Sequence, residues 1–284
     1  MNILSINWYP GHMAKAKRLI REDLKLVDMV IELLDARIPS SSTNPDFSSL
    51  YHNKIRVIVL NKADYADPDK TKKWQDHYQN QNMPVVAINA LNKKDINNVR
   101  KFLFSLADEK RKQIRKQKGI NKTIRAMVVG IPNVGKSTFI NSITGKSKAK
   151  TGDRPGITKV KQWFRVTPYF ELLDTPGLLW PKFEEELIGL HLAYVGSIKE
   201  EIIQPEEVAF RFLEEMSESY PDLLKTRFQL NHIDREGHEL LAEIAVKRGW
   251  LQSGGIADIE RAAKQVLYEY QAGIIGRTTL ELPY

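Results

Sequence analysis

The feature that most constrains this chain is a nine-residue segment near its middle, Gly130-Ile131-Pro132-Asn133-Val134-Gly135-Lys136-Ser137-Thr138. The spacing Gly-x4-Gly-Lys-Ser sets glycines where the backbone must bend, so that successive N–H groups converge on phosphate oxygens. A strand pattern over residues 123–129 leads into it. A helical pattern over residues 136–143 follows and stops near Gly145. A helix starting at Lys136 directs its positive end at the same anions. Strand, glycine loop and helix in that order define a phosphate loop. In such a loop Lys136 reaches the β- and γ-phosphates, and Ser137 ligates Mg²⁺. Gly130, Val134, Gly135 and Thr138 complete the cradle.

Two further motifs complete a nucleotide site. Asp174-Thr175-Pro176-Gly177 follows the apolar run 169–173. There Asp174 is expected to hold Mg²⁺ through water, and the Gly177 N–H to meet the γ-phosphate. Asn61-Lys62-Ala63-Asp64 follows the apolar, β-branched run 56–60. The Asp64 carboxylate accepts two hydrogen bonds from guanine, at N1–H and at the exocyclic amine. Adenine would set acceptor against acceptor and be rejected. Asn89-Ala90, at the end of the strand pattern 84–88, places the Ala90 N–H where it would meet guanine O6. Thr158, in the polar Gly/Pro-marked loop 146–158, is the candidate for a second Mg²⁺ hydroxyl ligand that orders only with GTP. The base reader thus precedes the phosphate loop in the chain, the reverse of the ordinary order. A parallel sheet tolerates this, because joining old termini that lie close together leaves the strand positions unchanged.

Around the motifs, strand and helix patterns alternate. Residues 14–26 have helical spacing and a basic face. Residues 27–34 form an apolar strand pattern leading into Asp35-Ala36-Arg37-Ile38-Pro39. Helices are predicted over 69–80 and 96–117, the second capped by Asp95, and a hairpin over 160–167 and 169–173. Beyond Gly177 the β alternation ends, and residues 206–217, 235–248 and 257–271 read as amphipathic helices. The expected fold class is α/β: a mostly parallel sheet over residues 1–184, followed by an all-α domain over 185–284. All three motifs fall at strand carboxyl ends, where such sheets bind ligands.

Charge points to the partner. The net charge is +8, which favours a polyanion, most simply nucleic acid. Residues 100–125 carry ten Lys/Arg against two acids, more than a balanced solvated helix face needs. Further clusters are Lys15, Lys17, Arg18, Arg21 and Lys25, and Lys146, Lys148 and Lys150. The chain has no cysteine, so disulfide frameworks and thiolate metal sites are excluded. No apolar run approaches a membrane span, and the first residues lack a secretory pattern. A cytoplasmic monomer without membrane attachment is therefore expected.

The succession 61–64, 89–90, 130–137, 158 and 174–177 is similar to that of the circularly permuted, Ras-like P-loop GTPases. The opening Trp8-Tyr9-Pro10-Gly11-His12-Met13-Ala14-Lys15-Ala16 resembles the start of the bacterial ribosome biogenesis GTPase A family. So does the tail, with Ala245-Val246-Lys247-Arg248-Gly249, Gly254-Gly255 and Gly273-x2-Gly276-Arg277. The resemblance covers nearly the whole chain, with Asn89 standing where the family pattern has Ser. It implies GTP hydrolysis in late maturation of the large (50S) ribosomal subunit. The GTP form would bind rRNA and the precursor particle, hydrolysis would release it, and the C-terminal helical domain would bind RNA.

The resemblance also bears on catalysis. The residue after Asp-x-x-Gly is Leu178, which has no donor or acceptor to orient water, so hydrolysis by the protein alone is expected to be slow. His12 is the implied water-positioning residue; the alternative is that Gly11-His12 forms a rigid turn against RNA. Similar GTPases use an Asn at the position of Asn133 to help hold K⁺ against the phosphates. Residues nominated for RNA contact are Lys15, Arg18, Arg111, Arg115, Lys247, Arg248 and Arg277. The competing readings are a signalling or membrane-associated GTPase, and an RNA-binding module that holds GTP with negligible turnover.

Overall fold

A computed structural model describes residues 18, 20–45, 51, 54–145, 162–175, 177, 179 and 185–283. These fall into two compact units. One comprises the described residues of Trp8–Lys182 together with the tail from Glu281; the other comprises those of Phe183–Leu280.

The first unit is built on a six-stranded sheet. Its strands are β1 (Met29–Asp35), β2 (Ile55–Asn61), β3 (Val85–Ile88), β4 (Ile124–Val129), β5 (Gln162–Thr167) and β6 (Phe170–Asp174), in the spatial order β3-β2-β1-β4-β6-β5. All neighbours pair in parallel except β5, which runs antiparallel to β6 at one edge. β1 is buried along its whole length, as a central strand covered on both faces must be. One face carries Val30, Met127, Val129 and Leu173 against Ile20 and Leu24 of the N-terminal helical segment and Val27 just beyond it. Further along the same face, Leu34, Ile58 and Leu60 pack against Trp74 and Tyr78 of α1 (Pro68–Asn80).

Helix signals explain the rest. Asp67 caps α1 through the N–H groups of Asp69 and Lys70. α2 (Lys93–Lys118) ends at Gly119, which takes the left-handed conformation. It is capped by Asn92, whose side chain accepts from Lys94 and Asp95 N–H, and not by Asp95. The Asp95 carboxylate instead accepts the Asn89 N–H at 2.9 Å, bracing the loop after β3. α3 (Lys136–Thr144) follows the phosphate loop and also ends on a left-handed glycine, Gly145.

The second unit contains α4 (Glu186–Tyr194), a 3₁₀ turn at Glu200–Ile202, α5 (Pro205–Ser219), α6 (Pro221–Phe228), α7 (Gly237–Lys247) and α8 (Ile259–Gln271). The α5 stripe Val208, Ala209, Phe212, Leu213 and Met216 is buried at helical spacing. Phe212 meets Tyr270 of α8 with ring centroids 4.6 Å apart. A Cβ on Gly237 would lie 2.2 Å from the Phe210 carbonyl oxygen, so glycine lets α7 start directly against α5. Arg227 and Glu269 form a two-pronged ion pair at 2.7 Å on each arm. Among the described residues, the only β pairing in this unit is an isolated bridge between Leu251 and Ala257. No helix among the described residues is long and apolar enough to cross a membrane.

Candidate functional site

The sheet brings the three motifs to one edge because each follows the carboxyl end of its strand. β2 ends on Asn61, β6 ends on Asp174, and β4 runs directly into Gly130. β2 and β4 flank β1, with Asn61 paired in register to Asp35. The base and phosphate motifs therefore lie one strand apart although 69 residues separate Asn61 from Gly130 in the chain (130 less 61).

The phosphate loop depends on its glycines. Gly130 has φ +152°, and a Cβ there would lie 2.5 Å from the Leu33 carbonyl oxygen of β1. Gly135 has φ +98°, and a Cβ there would lie 2.5 Å from the Asn61 side-chain nitrogen. Both positions combine a conformation L side chains avoid with a close backbone or side-chain neighbour. Gly135 is also the N-cap of α3 and supplies no side-chain acceptor, so nothing from the cap residue competes for the first N–H groups of the helix. Asn133, with φ +58°, bends the crest of the loop.

Lys136 curls back into this loop. Its ammonium donates to the carbonyl oxygens of Gly130 at 3.1 Å and Ile131 at 2.7 Å. Gly177 lies against it, since a Cβ there would fall 2.7 Å from the Lys136 Nζ. Burial pulls the Lys136 amine down to about 8, with the Asp174 charge opposing. Burial pushes the Asp174 carboxyl up to about 6, against the Lys136 charge and the Thr175 N–H. The Asp174 Oδ1 is buried with no hydrogen-bond partner among the described residues. An orphaned carboxylate oxygen is a donor suited to a hard divalent cation, as is the hydroxyl of a serine such as Ser137 in the first turn of α3. Ser137 and Asp174 are thus the residues that would hold Mg²⁺, which supplies charge neutralisation at the phosphates when bound.

The base side is organised differently. Asn61 is buried and uses both ends of its amide: Nδ2 donates to the Val134 carbonyl at 2.7 Å, and Oδ1 accepts the Ala90 N–H at 3.2 Å. It ties the base motif to the phosphate loop and to the loop after β3. The Ala63 N–H donates to the Ile88 carbonyl at 3.0 Å, while Asp64 is left exposed. Asn89 forms its own turn, its Oδ1 accepting the Leu91 N–H at 2.8 Å. One expectation is revised. The Ala90 N–H is directed at Asn61 rather than standing open for guanine O6, because the amide of Asn61 lies within hydrogen-bond reach.

Sequence reasoning missed the support beneath this loop. Lys62, with φ +59°, places its ammonium 3.1 Å from Asp35 Oδ2. Asp35 also accepts from the Arg37 backbone N–H at 3.1 Å, its Nε at 2.9 Å and its terminal nitrogen at 2.8 Å. Asp35 and Arg37 are both fully buried. Burial alone would raise the Asp35 carboxyl, but Arg37, Lys62 and the Arg37 hydrogen bonds outweigh it and hold it well below the usual carboxylate range. The signal was available: an Asp-x-Arg pair straight after an apolar strand has to bury its charges together or not at all.

Among the remaining predicted residues, His12, Thr158 and Leu178 lie outside the described residues, as do Lys15, Lys17, Lys146, Lys148 and Lys150. Ser137 and Thr138 occupy the first turn of α3.

A family model described as "50S ribosome-binding GTPase" matches residues 125–236. Across 279 residues the chain is 46% identical to Ribosome biogenesis GTPase A of Bacillus licheniformis, covering 98% of each. The chain belongs to the ribosome biogenesis GTPase A family. The Thermotoga maritima family member is 35% identical over 98% of this chain and 95% of its own. The solved structure of GNP-bound YlqF from T. maritima superposes with a TM-score of 0.69 at 32% identity, covering 95% of this chain and 98% of that one. A GDP-bound structure of the same protein also gives 0.69. As a member of the ribosome biogenesis GTPase A family, the protein is a P-loop GTPase that binds GTP and GDP and hydrolyses GTP.

Proposed function

We propose that this GTPase acts in late maturation of the large ribosomal subunit. It binds rRNA and the precursor particle in its GTP state and leaves on hydrolysis. The observation that carries the reading is the likeness along the whole chain to ribosome biogenesis GTPase A, at 46% identity. Surface chemistry supports it. The second half of α2 exposes Arg115, Lys116 and Lys118. At the β5–β6 hairpin, Trp163 and Tyr169 are exposed with guanidinium groups over their rings, Arg125 at 5.1 Å and Arg111 at 4.4 Å. Cations stacked on exposed aromatic side chains suit unstacked RNA. In the helical unit Lys247 and Arg248 line a groove of about 590 Å³ with Arg227 and Ile274.

In this reading residues 1–184 carry hydrolysis and residues 185–284 carry RNA binding, apart from residues 281–283, which group with the first unit. Asn61, Lys62, Ala63 and Asp64 read guanine, with Asn89 and Ala90 shaping the far wall. Gly130, Val134, Gly135, Lys136, Thr138 and Gly177 hold the phosphates. Ser137, Thr158 and Asp174 serve Mg²⁺, and Asn133 serves K⁺. His12 positions water, which Leu178 cannot do. The protein works in the cytoplasm as a monomer. The test is GTP turnover in K⁺ buffer, alone and with immature large subunits, with small subunits as control. Stimulation by large-subunit particles alone is expected. Equal rates in all three contradict the reading. Equal rates in K⁺ and Na⁺ would remove the K⁺ role, and unchanged stimulated turnover in His12→Ala would remove that of His12.

A further inference from the structure

The chain returns to the GTPase unit at Glu281, one residue after the helical unit ends at Leu280. Its carboxylate accepts two backbone N–H groups, those of Ser40 at 2.6 Å and Ser41 at 3.1 Å, and its carbonyl accepts the Trp74 indole N–H at 3.1 Å. The loop it grips lies between Asp35 and the start of the next segment. Within that loop the Ser42 hydroxyl donates to the Ile38 carbonyl at 2.7 Å and accepts the Asp35 N–H at 3.1 Å. The Ala36 N–H donates to the Asn61 carbonyl at 2.9 Å. Asp35 then holds Lys62 through its carboxylate, and Arg37 lies over the Tyr65 ring at 5.7 Å. An unbroken series of contacts therefore runs from Glu281 through Ser40–Ser42 and Asp35 to Asn61 and Lys62 of the base motif.

We infer that Glu281 is a positioning residue for guanine recognition: by clamping the Ser40 and Ser41 N–H groups it fixes Asp35 and Arg37, and through them the loop that carries Asp64. This inference rests on the assignment of Asp64 to the base. The clamp consists of charge-assisted bonds, stronger than neutral ones. It also comes from the part of the sequence that follows the helical unit. Any event that draws the tail off the loop relaxes the base pocket first and leaves the phosphate loop intact. Nucleotide hold is thereby linked to the state of the C-terminal tail.

The test uses the full chain and two nucleotides. GDP offers both groups that Asp64 would bind; inosine diphosphate lacks the exocyclic amine. Wild type should prefer GDP. Glu281→Ala should weaken GDP on the order of tenfold, within the range usual for coupling between sites. It should weaken inosine diphosphate less, so the preference narrows at a nearly unchanged melting temperature. Glu281→Gln, which keeps one acceptor oxygen, should restore part of the preference. Parallel weakening of both nucleotides, or no change in either, overturns the inference while leaving the base assignment standing. A wild-type protein without preference for GDP overturns the base assignment and this inference with it.

Discussion

The two halves of the nucleotide site are built on opposite electrostatic terms. On the base side the buried groups are already met: Asp35 is held by Arg37 and Lys62, and Asn61 uses its amide on Val134 and Ala90. On the phosphate side the charges are only partly met. Lys136 is depressed to about 8, Asp174 is raised to about 6, and Asp174 Oδ1 lacks a partner among the described residues. The first half is preformed. The second is set up to gain when a phosphate and a cation arrive, because both shifts reverse once the missing charges are supplied.

Substitutions on each side should reveal the contrast. The largest effect is expected at Asp64. Asp64→Ala removes two hydrogen bonds to a charged acceptor, at about 1.5–3 kcal/mol each, so GDP affinity should fall by about 3–6 kcal/mol in a titration. Fold stability should barely change, since Asp64 is exposed. Asp35→Asn should do the reverse. Removing one partner of a buried pair costs about 3–5 kcal/mol of stability, read as a lower denaturant midpoint at unchanged slope. Gly135→Ala should cost about 1–3 kcal/mol through its left-handed φ, with further loss as Asn61 is displaced from Val134. If Gly135→Ala spares GDP binding, the tie between the two halves is not as described.

The pH dependence sharpens the comparison. Asp174 has a raised folded pKa of about 6, and its ionised form is the one that would receive Mg²⁺ in the proposed role. Mg²⁺-dependent nucleotide affinity should therefore be lost as pH falls through 6, by up to about tenfold per unit. Lys136 loses its charge above about 8 in the free protein, so binding above that pH should take up a proton, measurable by calorimetry in buffers of different ionisation heat. The base side should show neither effect, because the Asp35 carboxyl stays ionised far below these values. The smallest effect is expected at the basic surface. Lys116→Ala should weaken RNA binding modestly and lower the salt slope by about one.

The sequence made the parallel sheet legible because each strand is an apolar run that ends on a motif, as at residues 56–60 before Asn61. The phosphate loop was legible because its glycines meet steric demands that few other residues satisfy, as Gly130 and Gly135 show. Less was visible where support comes from far along the chain. Nothing local marks Glu281 as the partner of Ser40, 241 residues away. Two short helices, Glu186–Tyr194 and Pro221–Phe228, were missed in the C-terminal half. The first is apolar nearly all round, which hides its period, and the second has only two turns. Asp95 was misread as a cap because capping residues crowd this position; Asn92, three residues earlier, takes the role.

The contrast between the two halves can be tested most directly by carboxyl-carbon NMR titration of Asp35 and Asp174, without nucleotide and with Mg²⁺ and GDP. Asp174 should titrate near 6 in the free protein and drop below its ordinary range on loading, while Asp35 stays ionised throughout. An Asp174 that already titrates in the ordinary carboxylate range when free, or an Asp35 that moves on loading, would contradict the account.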